Sequence, residues 1–490
     1  MSLVDINSIP SEKFTLVQQD ASLHDLKLDT KPIGYLKDAM IRFRKNKGSV
    51  AGAYIIALLL LFAVFVPMFS KYDINYKDGF YTYTLPKSEF LSKLGIMKGY
   101  SKYTYNQQSY DYFNSIPGAV VKVNRVFENE VSKNKFIKYY DITIDSYMKT
   151  GFVYKSLSKK EYDDLVAYQK ENNIQIMYPM IDVSQVKNEG FKKDPNYWFK
   201  HNAKGAAEYD ENGNYINIYL KDENSPDGYS YYITKMNGNQ YQVRVLYYEF
   251  YKYTNGFYPC FLFGSDGYGQ DILVRLASGA RLSFVLGIAV ATINIILGTI
   301  YGSIEGYYGG KIDLMLERLS EILSGVPFIV AVALFQIYFA RKLGVVVSLL
   351  FAFIVTGWIG PAYRVRSQFY RYKGQEYVLA ARTLGANDGR IIFRHILPNA
   401  LGTIITSTIL IIPGVIFQET ALSYLGIVDL QTSNVTSVGT LLSNGQTALS
   451  TFPHAIFYPA MFISLLMISF NLFGNGLRDA FNPSLRGSGE

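Results

Sequence analysis

The chain contains few of the residues that build metal and redox sites. Among its 490 residues there is one cysteine, Cys260, so no disulfide forms within the chain and no multi-cysteine metal site exists. Only four histidines occur, and none has the paired helical spacing of a zinc site. We therefore expect no metal site and no catalytic residue in this chain.

A phosphate-binding loop is also missing. The nearest approach to the pattern Gly-x-x-x-x-Gly-Lys-Ser/Thr is Gly309-Gly310-Lys311-Ile312, which lacks both the preceding glycine and the hydroxyl. The chain should therefore not bind ATP, and no other bound cofactor is expected. The net charge of +8 would suit a nucleic-acid partner, but no basic and aromatic recognition module occurs, so none is expected.

Apolar residues make up 49% of the chain, an average over very apolar runs and one long polar region. Segment 1–48 is polar and ends in a basic cluster, whereas segment 49–70 carries no charged residue. A bilayer core needs about 20 apolar residues, so 49–70 is predicted to be the first transmembrane helix. The basic cluster places segment 1–48 in the cytoplasm, and the run begins too late for a cleaved signal peptide.

Segment 71–258 is then predicted to be an α+β domain outside the cytoplasm, inserted between transmembrane helices 1 and 2. Ser158 and Glu161 form a capping box that should open a helix to about Asn172. Alternating Tyr, Val and Ile runs around it indicate strands, including Tyr215–Leu220 and Tyr241–Tyr253. Asn212-Gly213 and Asn237-Gly238 predict type I′ hairpin turns.

Segment 259–281 returns the chain to the membrane, and we expect an interfacial amphipathic helix there with Arg275 and Arg281 at headgroup depth. Segment 282–478 is predicted to be a core of five further helices, with Gly302–Lys311 as a cytoplasmic turn and Pro413 as a kink. A cytoplasmic loop at 364–398 and a cytoplasmic tail at 479–490 complete the chain. The result is an α-helical polytopic membrane protein with six transmembrane helices and both termini in the cytoplasm. The apolar runs are Ser283–Tyr301, Asp313–Ala340, Val345–Tyr363, Leu401–Leu425 and Ala455–Phe473.

The most informative part of the loop is Glu376–Pro398, which we call the elbow. Tyr377, Ala380, Ala381 and Leu384 recur at helical spacing and predict a short helix with one stripe of mostly small residues. Gly385 should end that helix, and Asn387 or Asp388 should cap a second one. A partner surface could therefore approach the backbone of the first helix closely.

This spacing, Ala380-Ala381, three residues, Gly385, nine residues, then X-X-Leu-Pro, resembles the cytoplasmic loop in membrane subunits of bacterial ATP-binding-cassette (ABC) importers. Leu379 stands where the general pattern has Glu, and His395 stands where it has Ile; both resemble the variant found in peptide and nickel importers. Two further stretches, Phe263–Arg281 and Asn471–Pro483, resemble segments of the C-type subunit of oligopeptide permeases. The resemblance covers Phe263–Pro483, and the insertion lies outside it.

The resemblance implies the type I ABC importer fold and a permease subunit for oligopeptides in a bacterial plasma membrane. The implied partners are a second homologous permease, two cytoplasmic ATPases that use ATP and Mg, an external peptide-binding lipoprotein and the lipid bilayer. The elbow helix would be the coupling helix that an ATPase grips. The expected coupling residues are Glu376, Ala380, Ala381, Arg382, Leu384 and Gly385.

Polar side chains within the apolar runs are candidates for the translocation path, because such groups are costly in a membrane and usually have a function. They are Gln336, Gln418, Glu419 and Asn471, with Glu419, near an outer helix end, as the strongest. Helix packing uses the same groups, so a structural role stays open.

Other readings of the sequence remain open. A nickel complex or another small solute could be the substrate, since the same family carries both. A stand-alone channel or ion-driven transporter would be a different class, and so would a membrane-tethered receptor, for which one transmembrane helix would suffice. The insertion could dock the external binding protein, extend the path by which substrate enters, or merely decorate the surface.

Overall fold

The computed structural model describes residues 35–132, 135–235, 239–430 and 436–481. Most of the predicted N-terminal segment 1–48, most of the tail 479–490 and the predicted turn Asn237-Gly238 therefore lie outside the described residues. The described part is a bundle of apolar helices that carries a domain with two β-sheets. This agrees with the predicted fold class.

Two helices open the described chain, α1 Tyr35–Lys45 and α2 Lys47–Phe69. Asn46 caps α2 by accepting a hydrogen bond from the Ser49 amide at 3.2 Å. Helix α2 matches the predicted first transmembrane segment and packs on the last helix of the chain. A Cβ on Gly52 would lie 2.7 Å from the Ser469 carbonyl oxygen, so only glycine permits this approach.

The inserted domain, segment 71–258, which we call the insertion, contains two antiparallel sheets. The first has the strand order β1-β3-β2; in the second, β7 pairs with β4, β5 and β6. The predicted capping box is present, because Ser158 and Glu161 bond each other's backbone amides. The elements are β1 Tyr100–Asn106, β2 Val120–Ser132, β3 Lys135–Asp145, β4 Phe152–Ser158, β5 Met177–Tyr178, β6 Tyr232–Lys235, β7 Gln240–Leu246, α3 Glu89–Lys93, α4 Gln107–Asn114, α5 Lys159–Asn172 and α6 Tyr247–Asn255, with short 3₁₀ turns at Gly79–Tyr81, Val183–Gln185 and Glu189–Phe191.

Parts of the predicted strand pattern are wrong. Tyr215–Leu220 forms only isolated bridges, and the run Tyr241–Tyr253 changes from strand to helix at Tyr247. At Asn212-Gly213 only the glycine has a positive φ, so the turn is not type I′. The Asp210 carboxylate determines the turn instead, because it accepts hydrogen bonds from the Asn212 and Asn214 amides at 2.9 and 2.8 Å.

A buried arginine holds the loops of the insertion together. Arg244 has no exposed surface, and its guanidinium lies 3.8 Å from the centre of the Phe152 ring. It donates hydrogen bonds to the carbonyl oxygens of Pro195 at 2.7 Å and Pro179 at 3.0 Å. Burial lowers the pKa of this guanidinium to about 10, so Arg244 stays charged at neutral pH.

The insertion is seated firmly on the helix bundle. The Thr84 amide donates to Ser265 Oγ at 2.7 Å, and the ring of Tyr83 stacks on that of Phe452 with centroids 4.8 Å apart. A Cβ on Gly269 would overlap the Asp78 carbonyl oxygen at 1.8 Å, so the two segments touch along their backbones. The insertion therefore contacts the chain just before the second and just before the last transmembrane helix.

The remaining elements are helical. Their bounds are α7 Ile272–Tyr308, α8 Gly310–Ser324, α9 Phe328–Leu343, α10 Val345–Gly357, α11 Ile359–Tyr372, α12 Glu376–Thr383, α13 Asp388–Arg390, a π-helical turn at Ile391–Ile396, α14 Leu397–Thr408, α15 Ile411–Tyr424, α16 Val438–Gln446 and α17 His454–Phe481.

The separate interfacial helix expected within 259–281 is wrong. Residues from Ile272 onward are the first turns of α7, which runs unbroken for 37 residues, roughly 55 Å at 1.5 Å per residue. That length exceeds a hydrocarbon core of about 30 Å, so the extra turns project from it. Arg275 is buried and donates to Thr436 Oγ1 at 3.1 Å, because protein covers this end of α7. The predicted turn at Gly302–Lys311 is reduced to Gly309, because α7 continues to Tyr308 and α8 begins at Gly310.

Among the described residues, four helical segments are long and apolar enough to cross a membrane, and the total reaches six if two bent pairs each count as one. The run Asp313–Ala340, expected as one helix, bends by 72° between α8 and α9. Pro327 ends the break just before α9, as expected of a residue that lacks an amide hydrogen. The second bend, 43°, precedes α15, and Pro413 lies in the first turn of that helix.

Helix α7 also fixes the relative positions of the insertion and the elbow. Asp271, which caps its first turn, follows the Ser265 loop on which the insertion sits. Tyr307, near its last residue, contacts the elbow through Asp388. The insertion and the elbow therefore lie at opposite ends of one continuous helix.

Candidate functional site

The elbow has the helix-turn-helix form that its sequence predicts. Helix α12 ends in a Schellman motif, in which the Ala386 amide donates to the Ala381 carbonyl and the Gly385 amide donates to the Arg382 carbonyl, both at 3.0 Å. Gly385 has a φ of +81°, as predicted for the residue after the helix. Asn387 caps the next turn by accepting from the Arg390 amide at 2.9 Å.

Helix α12 has an inner and an outer face. Val378 is fully buried and Ala381 is 9% exposed, so these two residues pack against the chain itself. Tyr377, Ala380 and Leu384 point outward, and the Leu384 side chain is 88% exposed. We call these three residues the outer face. Leu384 is the most exposed large apolar residue in the described part of the chain, and together with Tyr377 and Ala380 it gives α12 an apolar stripe on its outer side.

The predicted coupling residues are thus divided between the two faces. Glu376, Ala380, Leu384 and Gly385 are exposed, and an added Cβ on Gly385 would meet nothing within 4 Å. Ala381 belongs to the inner face, because one helical step of 100° turns it toward Val378. Of the four residues in the predicted stripe, Ala381 packs against the chain itself, and the other three, Tyr377, Ala380 and Leu384, are exposed.

Side chains at the end of α7 clamp the elbow. The Tyr307 hydroxyl donates to Asp388 Oδ1 at 2.7 Å, and the Tyr308 hydroxyl donates to Asp388 Oδ2 at 3.3 Å. Arg382 donates to the Tyr307 hydroxyl at 3.4 Å and lies 5.7 Å from the centre of its ring. Arg382 therefore belongs to this clamp, whereas the sequence predicted that it would make a flanking contact to a partner.

A partly buried ion-pair network joins the neighbouring helices at the elbow end. Arg366 of α11 makes two hydrogen bonds to Asp313 of α8, at 2.7 and 2.9 Å, and two more to Glu317, at 2.9 and 3.1 Å. The Arg366 and Asp313 side chains are only 15% and 9% exposed. Tyr370 also donates to Asp313. Such bidentate contacts fix geometry more tightly than single hydrogen bonds do.

A row of glycines brings α7 and α11 into backbone contact beside this network. An added Cβ would lie 2.6 Å from Pro361 Cβ at Gly298, 2.2 Å from the Ala362 oxygen at Gly302 and 2.8 Å from the Arg366 oxygen at Gly306. Glycines four residues apart form one face of a helix and allow close packing in membranes. The end of α7, α11 and the elbow therefore form one closely packed block.

The predicted path residues have different surroundings. Glu419 is 1% exposed and accepts hydrogen bonds from Ser283 at 2.9 Å and Ser423 at 3.1 Å, so it is enclosed by this chain. Gln336 donates to the Val345 carbonyl at 3.2 Å, and Asn471 donates to the Met467 carbonyl at 2.9 Å.

Gln418 differs, because it lines an open cavity of about 310 Å³ together with Asn294, Thr356 and Phe328. Gln418 therefore faces a cavity, whereas Glu419, which the sequence favoured, is enclosed by the chain. Neighbouring residues on a helix point about 100° apart, so the sequence pattern alone could not show which of Gln418 and Glu419 faces the cavity.

Comparison with known families places these features in context. Residues 294–487 match the family described as the binding-protein-dependent transport system inner membrane component. Residues 34–86 match the N-terminal transmembrane domain of oligopeptide transport permease C. Most of the insertion lies between the two matched segments.

The chain is similar to curated transport proteins. It is 43% identical over 224 residues to the oligopeptide transport system permease protein OppC of Bacillus subtilis, an alignment that covers 46% of this chain and 72% of the relative. It is 42% identical over 225 residues to the dipeptide transport system permease protein DppC of the same organism, covering 46% of this chain and 69% of the relative.

Among solved structures, the chain matches an amino acid ABC transporter at 15% identity and a TM-score of 0.33, covering 41% of this chain and 92% of that chain. The methionine ABC transporter MetNI in an inward-facing conformation has 15% identity and a TM-score of 0.35, covering 42% of this chain and 96% of that chain.

Proposed function

The chain belongs to the family of oligopeptide and dipeptide transport permeases, and from this premise we propose that it forms half of the membrane path of an ATP-driven peptide importer. It is a multi-pass membrane protein and a permease subunit of the ABC importer class. The proposed substrate is a short peptide. The proposed partners are a second permease, two ATPases that bind ATP and Mg, and an external peptide-binding lipoprotein.

The observation that carries this proposal is the exposed outer face of the elbow on a clamped helix. Leu384 offers an uncovered apolar side chain, and Tyr307 and Asp388 hold the helix that presents it. A partner that grips the outer face would therefore move the whole block. We place this end in the cytoplasm of a bacterial cell, with both termini, because the basic residues before α2 favour that side.

The proposed coupling is mechanical. Closure of the ATPases on ATP moves the elbow, and the 37-residue helix α7 carries that movement toward the insertion at its other end. ATP shifts the balance between inward-open and outward-open states only through its differential affinity for them. A loose elbow would lose that difference, and the Schellman turn and the clamp both oppose such looseness.

We further propose that the insertion receives the external binding protein. Support comes from its seat, since Tyr83 stacks on Phe452 before α17 and Thr84 bonds Ser265 before α7. Movement of either helix would therefore reach the insertion directly. A flexible surface decoration would not need such contacts.

Gly385→Val tests the coupling proposal. A β-branched residue at a φ of +81° is strained by roughly 1–2 kcal/mol, so the turn should rearrange and misplace the outer face. We expect ATP-dependent uptake of a labelled peptide to fall at least about tenfold while membrane insertion is unchanged. Parallel uptake of radioactive nickel distinguishes the alternative substrate class.

The matched control is Gly389→Val in the same elbow, because Gly389 has no strained φ and an added Cβ there meets nothing within 4 Å. Uptake by the control should stay within about twofold of the unmodified complex. Normal peptide uptake by the Gly385 variant would overturn the coupling role. Nickel uptake without peptide uptake in the unmodified complex would replace the proposed substrate.

A further inference from the structure

The short helix α3 of the insertion carries large apolar side chains that the described part of the chain leaves uncovered. Phe90, Leu94 and Ile96 are 73%, 66% and 60% exposed. Phe90 and Leu94 are four residues apart, so they lie on the same face of the helix and its cap. We call the segment 88–98 that contains all three the α3 loop. A patch of this kind marks a contact with a membrane or with another protein.

Hydrogen bonds close the α3 loop at both ends. The Ser88 hydroxyl caps α3 by accepting from the Leu91 amide at 3.3 Å, and the Ser88 amide donates to the Met97 carbonyl at 3.0 Å. The Ile96 amide donates to the Leu91 carbonyl at 3.1 Å, which folds Ile96 back toward the helix. The exposed apolar side chains therefore belong to an ordered segment.

The α3 loop lies beside the end of α2. Helix α2 ends at Phe69, which is 78% exposed, and the next two residues, Ser70 and Lys71, line one cavity of about 280 Å³ with Phe90. Because α2 is 23 residues long, roughly 35 Å, its end falls near the boundary of a hydrocarbon core of about 30 Å. The uncovered apolar surface of α2 therefore continues onto the α3 loop at the membrane boundary.

The charged residues of the α3 loop favour a lipid surface over a protein partner. They are two exposed lysines, Lys93 and Lys98, and one exposed glutamate, Glu89. Lysine is depleted at protein–protein contacts, whereas lysines beside phenylalanine and leucine are typical of segments that lie in the headgroup region. Lysine ammonium groups can reach lipid phosphates while neighbouring apolar side chains contact the acyl chains.

We propose that the α3 loop anchors the insertion in the headgroup layer of the bilayer at the end of α2, with Phe90, Leu94 and Ile96 in contact with lipid. The inference requires only that α2 crosses a membrane, and it is independent of the transported solute. The anchor gives the insertion an attachment to the bilayer besides its contacts before α7 and α17. The insertion then keeps a fixed height over the membrane when those helices move.

The test places a small fluorescent label at position 94 of the complete complex in lipid nanodiscs. The label is attached to Leu94→Cys in a Cys260→Ser background, with the other subunits free of reactive cysteines, and Phe90 and Ile96 stay in place. The quenchers are lipids that carry a nitroxide on the acyl chain, or iodide in the water. An interfacial apolar face is buried about 5–10 Å into the headgroup and acyl boundary, so the lipid quencher should lower fluorescence about twofold or more and iodide by less than about a tenth.

Phe136→Cys in the same background is the matched control, because Phe136 is also an exposed apolar residue of the insertion, at 61%. It lies in β3 nine residues from Asp145, which pairs with Tyr100 at the end of the sheet that adjoins the α3 loop. Roughly 30 Å of strand therefore separate Phe136 from that end. Iodide should quench this label, and the lipid nitroxide should not.

A second variant adds Phe90→Asp and Ile96→Asp to the labelled Leu94→Cys protein. Charged side chains are costly in the membrane, so the loop should leave the lipid and quenching by iodide should rise about threefold or more. Unchanged lipid quenching in this variant would overturn the anchor.

The remaining outcomes distinguish lipid from water and from protein. Quenching of the position-94 label by iodide in place of the lipid nitroxide would overturn the proposal, and so would equal lipid quenching of the position-136 label. A label shielded from both quenchers would show that a protein, such as the second permease, covers the loop. Adding the external binding protein should leave the lipid quenching unchanged, and its loss would assign the patch to that protein instead.

Discussion

Replacing Leu384 with aspartate should strongly weaken association with the ATPase subunits. The Leu384 side chain is 88% exposed in this chain, and covering a leucine contributes about 1.5–3 kcal/mol. An aspartate at the same point would bring an unpaired charge into the contact. We expect copurification of the ATPases to weaken at least about a hundredfold, with the permease still inserted.

Leu379→Asp is the matched control for this experiment. Leu379 is also on α12 and is 47% exposed, but it lies five positions earlier and about 140° around the helix from Leu384. Its substitution should reduce copurification by no more than about threefold. If the two variants behave alike, or if the ATPases bind Leu384→Asp normally, the outer face is not the docking surface.

Replacing Arg366 with glutamine should destabilise the elbow end more than any other single charge removal in the ion-pair network. Arg366 makes two hydrogen bonds to Asp313 and two to Glu317, and its removal takes the guanidinium away from both carboxylates. Breaking a fully buried pair by deleting one partner costs about 3–5 kcal/mol, and because the Glu317 side chain is 34% exposed, the cost here should be about 2–3 kcal/mol. The free energy of unfolding in mixed detergent micelles should fall by that amount.

The same substitution at Arg318 provides the comparison. Arg318 pairs with Glu321, but their side chains are 72% and 52% exposed, so the pair should contribute about 0–1 kcal/mol. Transport should follow the same order, with a large loss for Arg366→Gln and little for Arg318→Gln. Equal unfolding energies for the two variants would show that the network does not hold the helices together.

Local rules explain why much of the elbow could be predicted from its sequence. The turn after the first helix and the cap of the second helix depend only on residues within a few positions. Gly385 and Asn387 therefore have the predicted roles. Transmembrane helices are equally local, because a run of about 20 apolar residues is itself the signal. The first helix and the capping box of the insertion followed in the same way.

Contacts between distant segments could not be predicted. Tyr307 and Asp388 are 81 positions apart, and neither segment alone predicts their hydrogen bond. Ala381 lies with Val378 on the inner face of α12, and the sequence pattern did not show this because Val378 packs with Tyr307 and Val365 from distant parts of the chain.

The most direct test of the account is the side of the membrane on which the outer face lies. With Cys260→Ser removing the single natural thiol, Ala380→Cys places a reactive group on the exposed side of α12. We predict that a membrane-impermeant maleimide labels it in inside-out vesicles stripped of ATPases, and that added ATPases block the labelling. Labelling in intact cells, or labelling unaffected by the ATPases, would contradict the central claim that this elbow is gripped from the cytoplasm.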